Sequence, residues 1–169
     1  MDVEYEATFE SVDKDQLRSR LTSAGAKLLK EEFLQKRTVF NLPSSTNVLG
    51  GWARVRDEGD KITVSVKAVT GTKITDQKEV SLIVDSYQRA EQFLLVSGFN
   101  QKAYQETLRE LWALNEVEVT IDTWPFLDSF VEVEGASETE VQVVSELLGF
   151  NWKNARFCAV DQLYEEKYG

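Results

Sequence analysis

Charged and apolar residues alternate along several short stretches of the chain, and those stretches carry most of its information. In Phe130-Val131-Glu132-Val133-Glu134-Gly135 two glutamates alternate with two valines. Successive residues of a β-strand point to opposite sides, so this stretch predicts a strand with two acids on one face and two valines on the other. Val3-Glu4-Tyr5-Glu6-Ala7 repeats the pattern within a first strand over residues 2–9. Glu116, Glu118, Thr120 and Asp122 alternate with Val117, Val119 and Ile121 after a turn at Asn115. A basic version runs from Trp52 to Arg56, with Trp52, Arg54 and Arg56 on one face. The turn Asp57-Glu58-Gly59-Asp60 then predicts a hairpin. Its second arm places Lys61, Thr63, Ser65 and Lys67 opposite Ile62, Val64 and Val66. Residues 76–83 set Gln77, Glu79 and Ser81 against Lys78, Val80 and Leu82, and two longer extended stretches cover about 26–41 and 101–112.

Between these strands the period changes from two to that of a helix. Asp13 with Gln16 reads as a capping box, followed by the stripe Leu17, Leu21, Ala24 and a stop at Gly25. A second helix is expected from near Ser86 to Gly98, with Phe93, Leu94 and Val96 apolar. Ser137 with Glu140 caps a third, whose stripe is Val141, Val144 and Leu148 and whose stop is Gly149. A short helix is expected over 159–168. Gly98-Phe99-Asn100 and Gly149-Phe150-Asn151 hint at repetition, too irregular for a solenoid. Helices need apolar surface, so the simplest arrangement lays them on the valine faces of an antiparallel sheet. The charged faces then line either an open wet sheet or, if the sheet curls, the inside of a barrel.

The 169 residues, 42% of them hydrophobic, suit one domain over 1–169 with a sizeable core. No apolar run reaches the roughly 20 residues of a membrane span, and Met1-Asp2-Val3-Glu4 does not read as a secretory signal. A single cysteine, Cys158, excludes an internal disulfide framework and fits a cytoplasmic protein. There is no histidine, which removes Ser-His-Asp and Cys-His catalysis. The net charge of −10 argues against binding a nucleic-acid polymer, though not against a local basic site for a small anion.

That local site is visible in how the charge is sorted. Glu4/Glu6, Glu116/Glu118/Asp122 and Glu132/Glu134 are acidic strands; Arg54/Arg56 and Lys61/Lys67 are basic ones. Carboxylate oxygens suit hard cations such as Mg2+ and Mn2+. Arginine and lysine grip phosphate oxygens. A lumen with both is a site for a metal–polyphosphate complex; solvated faces with cross-strand ion pairs are the plainer alternative.

Taken in order, Glu4-x-Glu6, Arg54-x-Arg56, Ser65-x-Lys67 and Asp122…Phe130-x-Glu132-x-Glu134 resemble the CYTH superfamily, the triphosphate tunnel metalloenzymes. These include class IV adenylyl cyclases, thiamine triphosphatases and inorganic triphosphatases. The resemblance covers almost the whole chain. It implies an α+β fold: an eight-stranded antiparallel β-barrel with helices packed outside. It also implies Mg2+ or Mn2+ as cofactor and a small-molecule triphosphate as partner, with the protein a monomer or homodimer.

By match, Glu4, Glu6, Glu132 and Glu134 would face the metal. Arg54, Arg56, Lys67 and Arg109 would hold phosphate oxygens. Glu79, Glu118 and Asp122 would be further tunnel acids. The chain departs from the pattern in two places. Thr8 stands where the family's Glu-x-Glu-x-Lys signature has its lysine, and Thr107-x-Arg109 replaces Lys-x-Arg. Lys36, Arg37, Lys73, Lys78 and Lys102 are the cations that could substitute. The activity implied is metal-dependent triphosphate hydrolysis; a class IV-like cyclase and a catalytically weak binding module are the alternatives. No residue is assigned as catalytic base.

Overall fold

A computed structural model describes residues 1–169. Nine strands form one antiparallel sheet: β1 (Asp2–Val3), β2 (Tyr5–Phe9), β3 (Lys27–Asn41), β4 (Gly51–Asp57), β5 (Ile62–Val69), β6 (Gln77–Val84), β7 (Asn100–Leu114), β8 (Val117–Thr123) and β9 (Phe130–Gly135). Their spatial order is β1-β6-β5-β4-β3-β7-β8-β9-β2. The two outermost strands, β1 and β2, are consecutive in the chain. One N-terminal segment therefore pairs with β6 on one side and β9 on the other, and the sheet rolls into a nearly closed barrel.

The expected strand over 2–9, and with it the expected count of eight, is corrected at Glu4. Glu4 N–H bonds to Gln77 O at 3.0 Å, and Glu6 N–H turns back to Glu4 O at 3.1 Å. That local turn breaks the ladder and divides one expected strand into two. The barrel itself is as expected.

The apolar faces meet helices. α1 (Lys14–Ser23) and α3 (Glu138–Leu147) cover the outside of β2, β8 and β9, where Ala7, Phe9, Val119, Ile121, Val131 and Val133 pack with Leu17, Leu21, Val141, Val144 and Leu148. Burying side chains of this size contributes about 1.5–3 kcal/mol each. The caps are in place: Asp13 accepts from Gln16 N–H at 2.9 Å, and Ser137 accepts from Glu140 N–H at 3.3 Å.

α2 (Tyr87–Val96) lies over β4 and β5 and buries Ala90 and Leu94 against Phe40, Ala53 and Val55. Phe93, Leu95 and Val96 of the same helix face outward. α4 (Val160–Tyr168) sends Leu163 against Trp124 and Phe130 at one end of the barrel. No helix is long and apolar enough to cross a membrane.

Candidate tunnel site

With the valine faces turned out, the charged faces turn in. They enclose a cavity of about 650 Å3. Ten of the eleven residues singled out from the sequence line it: Glu4, Glu6, Arg54, Arg56, Lys67, Glu79, Arg109, Glu118, Glu132 and Glu134. Asp122 stands behind this lining, fully buried, and accepts from Arg109 Nε–H at 2.8 Å and from Thr120 Oγ1–H at 2.7 Å. It touches the lumen only through Arg109.

Register explains the convergence on the acidic side. Glu6 faces Glu134 across β2–β9, Thr8 faces Glu132, and Glu118 faces Glu134 across β8–β9. Carboxylate oxygens of Glu4, Glu6 and Glu134 lie within 4.8 Å of one another. Burial drives Glu4 up to about 7 against the pull of Lys67, with Glu79 adding to the rise. Burial and then the charge of Glu132 drive Glu6 to about 8. Burial and repulsion from Glu6 push Glu134 to about 7, but Glu134 is itself exposed at the rim, so solvent screens part of that push. Three hard oxygen donors that repel one another, Glu4 and Glu6 largely shielded and Glu134 open to solvent, fit a divalent cation such as Mg2+ or Mn2+. Glu132 is engaged elsewhere: it accepts from Arg109 at 2.6 Å, and Arg109 and Lys67 hold its carboxyl below the usual range despite burial.

On the basic side nearly every cation has a carboxylate of its own. Lys67 Nζ donates to Glu4 Oε1 at 2.8 Å and stands 4.0 Å from Glu6. It also lies 2.6 Å from Glu4 Oε2, yet out of line for a hydrogen bond, so that oxygen has none. Burial opposes the charge on Lys67, but Glu6 and Glu4 outweigh it and raise its pKa. Arg54 reaches Glu79 at 3.1 Å. Burial would raise Glu79, but Arg54 and Lys67 carry it down to about 2. Arg109 bridges Asp122 and Glu132.

Arg37 is the exception. It lines the lumen from β3, buried, with its guanidinium 4.6 Å from the Trp124 ring and bonded only to neutral groups, Gln35 Oε1 at 2.5 Å and Thr107 Oγ1 at 2.9 Å. Burial and then the nearby charges of Arg54, Arg109 and Arg56 lower its pKa well below the usual arginine value. Of the five cations that could replace a lysine at position 8, Arg37 and Lys102 line the cavity; Lys36, Lys73 and Lys78 do not. Lys102 sits at the mouth, 2.5 Å from Asp161. Thr8 is buried between β9 and the segment at Arg156, with which it exchanges two backbone hydrogen bonds of 2.9 Å.

Trp52 lines the cavity, Trp124 both lines it and packs with Phe130 and Leu163, and Trp112 packs in the core. Gln105 faces in, while its neighbours Tyr104 and Glu106 point out and bond each other at 2.8 Å. Cys158 is half-buried at the cavity wall, and burial pushes its thiol up to about 11. Glu58, which reads as part of a turn, is buried in the lining.

No family model matches the sequence. A "putative adenylate cyclase" of Methanocaldococcus jannaschii is 25% identical over 134 residues, 78% of this chain and 76% of that protein. Among solved structures, a "putative adenylate cyclase" from Vibrio parahaemolyticus superposes with a TM-score of 0.82 at 10% identity, over 97% of this chain and 98% of its own. The PH1012 protein of Pyrococcus horikoshii gives 0.75 at 20% identity, over 92% and 96%. A Hippeastrum "putative adenylyl cyclase", described as having a dominant triphosphatase activity, gives 0.62 at 12% identity, over 92% and 91%. The chain has the fold of the CYTH-type triphosphate tunnel proteins that its ordered acidic and basic strands resemble.

Proposed function

We propose that the tunnel binds the triphosphate group of a small molecule together with Mg2+ or Mn2+ and hydrolyses it, with residues 1–169 acting as one unit. The observation that carries this reading is the sorting of charge within one cavity. Glu4, Glu6 and Glu134 gather on one side, and Arg37, Arg54, Arg56 and Arg109 stand on the other. A metal-bound polyphosphate has the same polarity.

Glu4, Glu6 and Glu134 would hold the metal, which when bound supplies a Lewis acid for phosphate oxygens. Arg54 and Arg56 present planar forks that take phosphoryl oxygens two at a time. Arg109, fixed by Asp122 and Glu132, orients a further set of donors without having to reorganise. Lys67 stands between the two sides, close enough to Glu4 and Glu6 to set their charge and able to reach an oxygen entering beside them. The buried lumen strengthens each of these interactions relative to water.

Two observations keep other outcomes in view. The Jannaschii and Vibrio relatives are named as cyclases, and Thr8 offers a hydroxyl where the resembled family has a charge. A substrate panel separates the readings. The protein is incubated with Mg2+ or Mn2+ and tripolyphosphate, thiamine triphosphate or ATP, and products are identified by mass. Orthophosphate is expected. Cyclic AMP with pyrophosphate replaces hydrolysis by cyclisation. No turnover, with a raised Tm in the presence of a triphosphate, leaves a binding module. Neither turnover nor a shift in Tm with any of them removes the reading.

A further inference from the structure

The turn between β4 and β5 contains Asp57-Glu58-Gly59-Asp60, four residues that would ordinarily stand in water. Glu58 does not: it is 7% exposed and lines the tunnel. Its Oε1 lies 2.7 Å from Arg56 Nε and 3.5 Å from Gln35 Nε2, and its Oε2 lies 3.2 Å from Lys61 Nζ. The backbone around it is tied down. Lys30 Nζ donates to Glu58 O at 2.5 Å and to Asp60 Oδ1 at 2.6 Å, and Gly59, at φ 87°, gives its N–H to Asp57 Oδ1 at 2.8 Å. The turn is thus fixed, while the carboxylate hangs on side-chain torsions alone.

Its fit to Arg56 is poor. The 2.7 Å approach is bent too far for a hydrogen bond, and Arg56 Nε, buried in the lumen wall, has no hydrogen-bond partner at all. Coulomb attraction holds the pair, with one strong donor left unmade. An anion oxygen lying in line with that N–H would make the bond.

We propose that Glu58 is a displaceable stand-in for a substrate phosphoryl oxygen at Arg56, and that the need to displace it weakens every anion's hold by one factor, so that only a tightly held, highly charged polyphosphate occupies the tunnel. The inference rests on the reading of the lumen as a triphosphate site. A carboxylate carries one negative charge and competes for Arg56 and Lys61 on equal terms with a weakly charged anion. A polyphosphate carries more charge and more acceptor oxygens, and it displaces the carboxylate where a lesser anion does not. When the competent state is a minor one, apparent affinity falls by the fraction of time the site is open. A minor state populated at about 10% gives about a tenfold loss.

The test is calorimetric titration of wild type, Glu58→Gln and Glu58→Ala with tripolyphosphate and with pyrophosphate, each in EDTA and again with Mg2+. Both variants are expected to bind tripolyphosphate about tenfold more tightly than wild type. Pyrophosphate should gain by the same factor, because the open fraction of the site does not depend on the ligand. The Tm of each variant, taken in parallel, establishes that it is folded. If Glu58 instead merely positions Arg56, Glu58→Gln leaves affinity unchanged and Glu58→Ala weakens it, and the proposal is overturned. Wild type that binds tripolyphosphate with no gain in either variant also overturns it, while leaving the triphosphate site standing. Wild type and variants that all fail to bind in Mg2+ remove both.

Discussion

The two sides of the tunnel solve the problem of buried charge in opposite ways. On the side built by β2 and β9 with Glu4, three carboxylates crowd together, with Lys67 as the cation placed against Glu4 and Glu6. They respond by holding protons, with Glu4 and Glu6 raised to about 7 and 8. On the side built by β4, β5 and β7, cations are matched one by one: Arg54 with Glu79, Arg56 with Glu58, Arg109 with Asp122 and Glu132. One side has a single cation among its carboxylates; the other holds most of its charge in internal pairs. Buried charge is thus kept in check by protonation in one case and by pairing in the other.

The largest test of this contrast is Arg109→Met. Its loss strands Asp122 and Glu132, both deep in the wall, and removing one partner of a buried pair typically costs about 3–5 kcal/mol. Urea unfolding at pH 7 should show a loss of that order. A loss below about 1 kcal/mol would mean that the pairs do not depend on one another.

The acidic side makes the next prediction through pH. The carboxyls of Glu4 and Glu6 have folded-state pKa values above their unfolded ones. The folded state therefore binds more protons between about pH 4.5 and 8, and stability falls as pH rises through that window. Glu79, held at about 2, works the other way: its contribution is present above about pH 4.5 and is lost as pH falls toward 2. Metal-free protein should be most resistant to urea near pH 5. Saturating Mg2+ should flatten the decline toward pH 8, with protons released on binding, measured by titration in buffers of different ionisation enthalpy. A metal-free protein that grows steadily more stable up to pH 8 would contradict the protonated state of this side.

A smaller effect is expected from Thr8→Lys, which places a charge on β2 directly across from Glu132. Turnover in the substrate panel should rise severalfold. No rise would mean that Arg37, already in the lumen without a carboxylate partner, has taken over the role. The smallest is the control outside the tunnel. Val96→Lys, on the uncovered side of α2, should change stability by no more than about 0.5 kcal/mol and leave both sides untouched.

Much of this was legible from alternation. A two-residue period sorts side chains between faces without reference to the rest of the chain, so Glu132 and Glu134, or Arg54 and Arg56, could be put on one side at once. Whether those faces met water or one another was not, because closure depends on which strands pair. It was the resemblance that supplied the barrel. The break at Glu4 was hidden because Val3-Glu4-Tyr5-Glu6 keeps its period through it; the turn arises from pairing with two different neighbours, β6 and β9. Glu58 was hidden by its turn, since local rules place turn residues in solvent and only Arg56, Gln35 and Lys61 draw it in. Arg37 stood among five candidate cations with nothing local to separate it from Lys36; the phase of β3 turns Arg37 inward. On α2, Phe93 and Val96 look like core residues beside Leu94, but the helix rests on a narrow line through Ala90 and Leu94.

The break at Glu4 has a mechanical side. The barrel is seamed where β1 meets β6, and that ladder is two residues long, Asp2 with Glu79 and Val3 with Lys78. Glu4 sits at the seam, Glu6 follows on β2, and Glu134 is on the neighbouring β9. A cation gripped by all three would act as a clasp, drawing the loose N-terminal lap of the barrel onto the strand beside it. Loading the site and fastening the wall would then be one event.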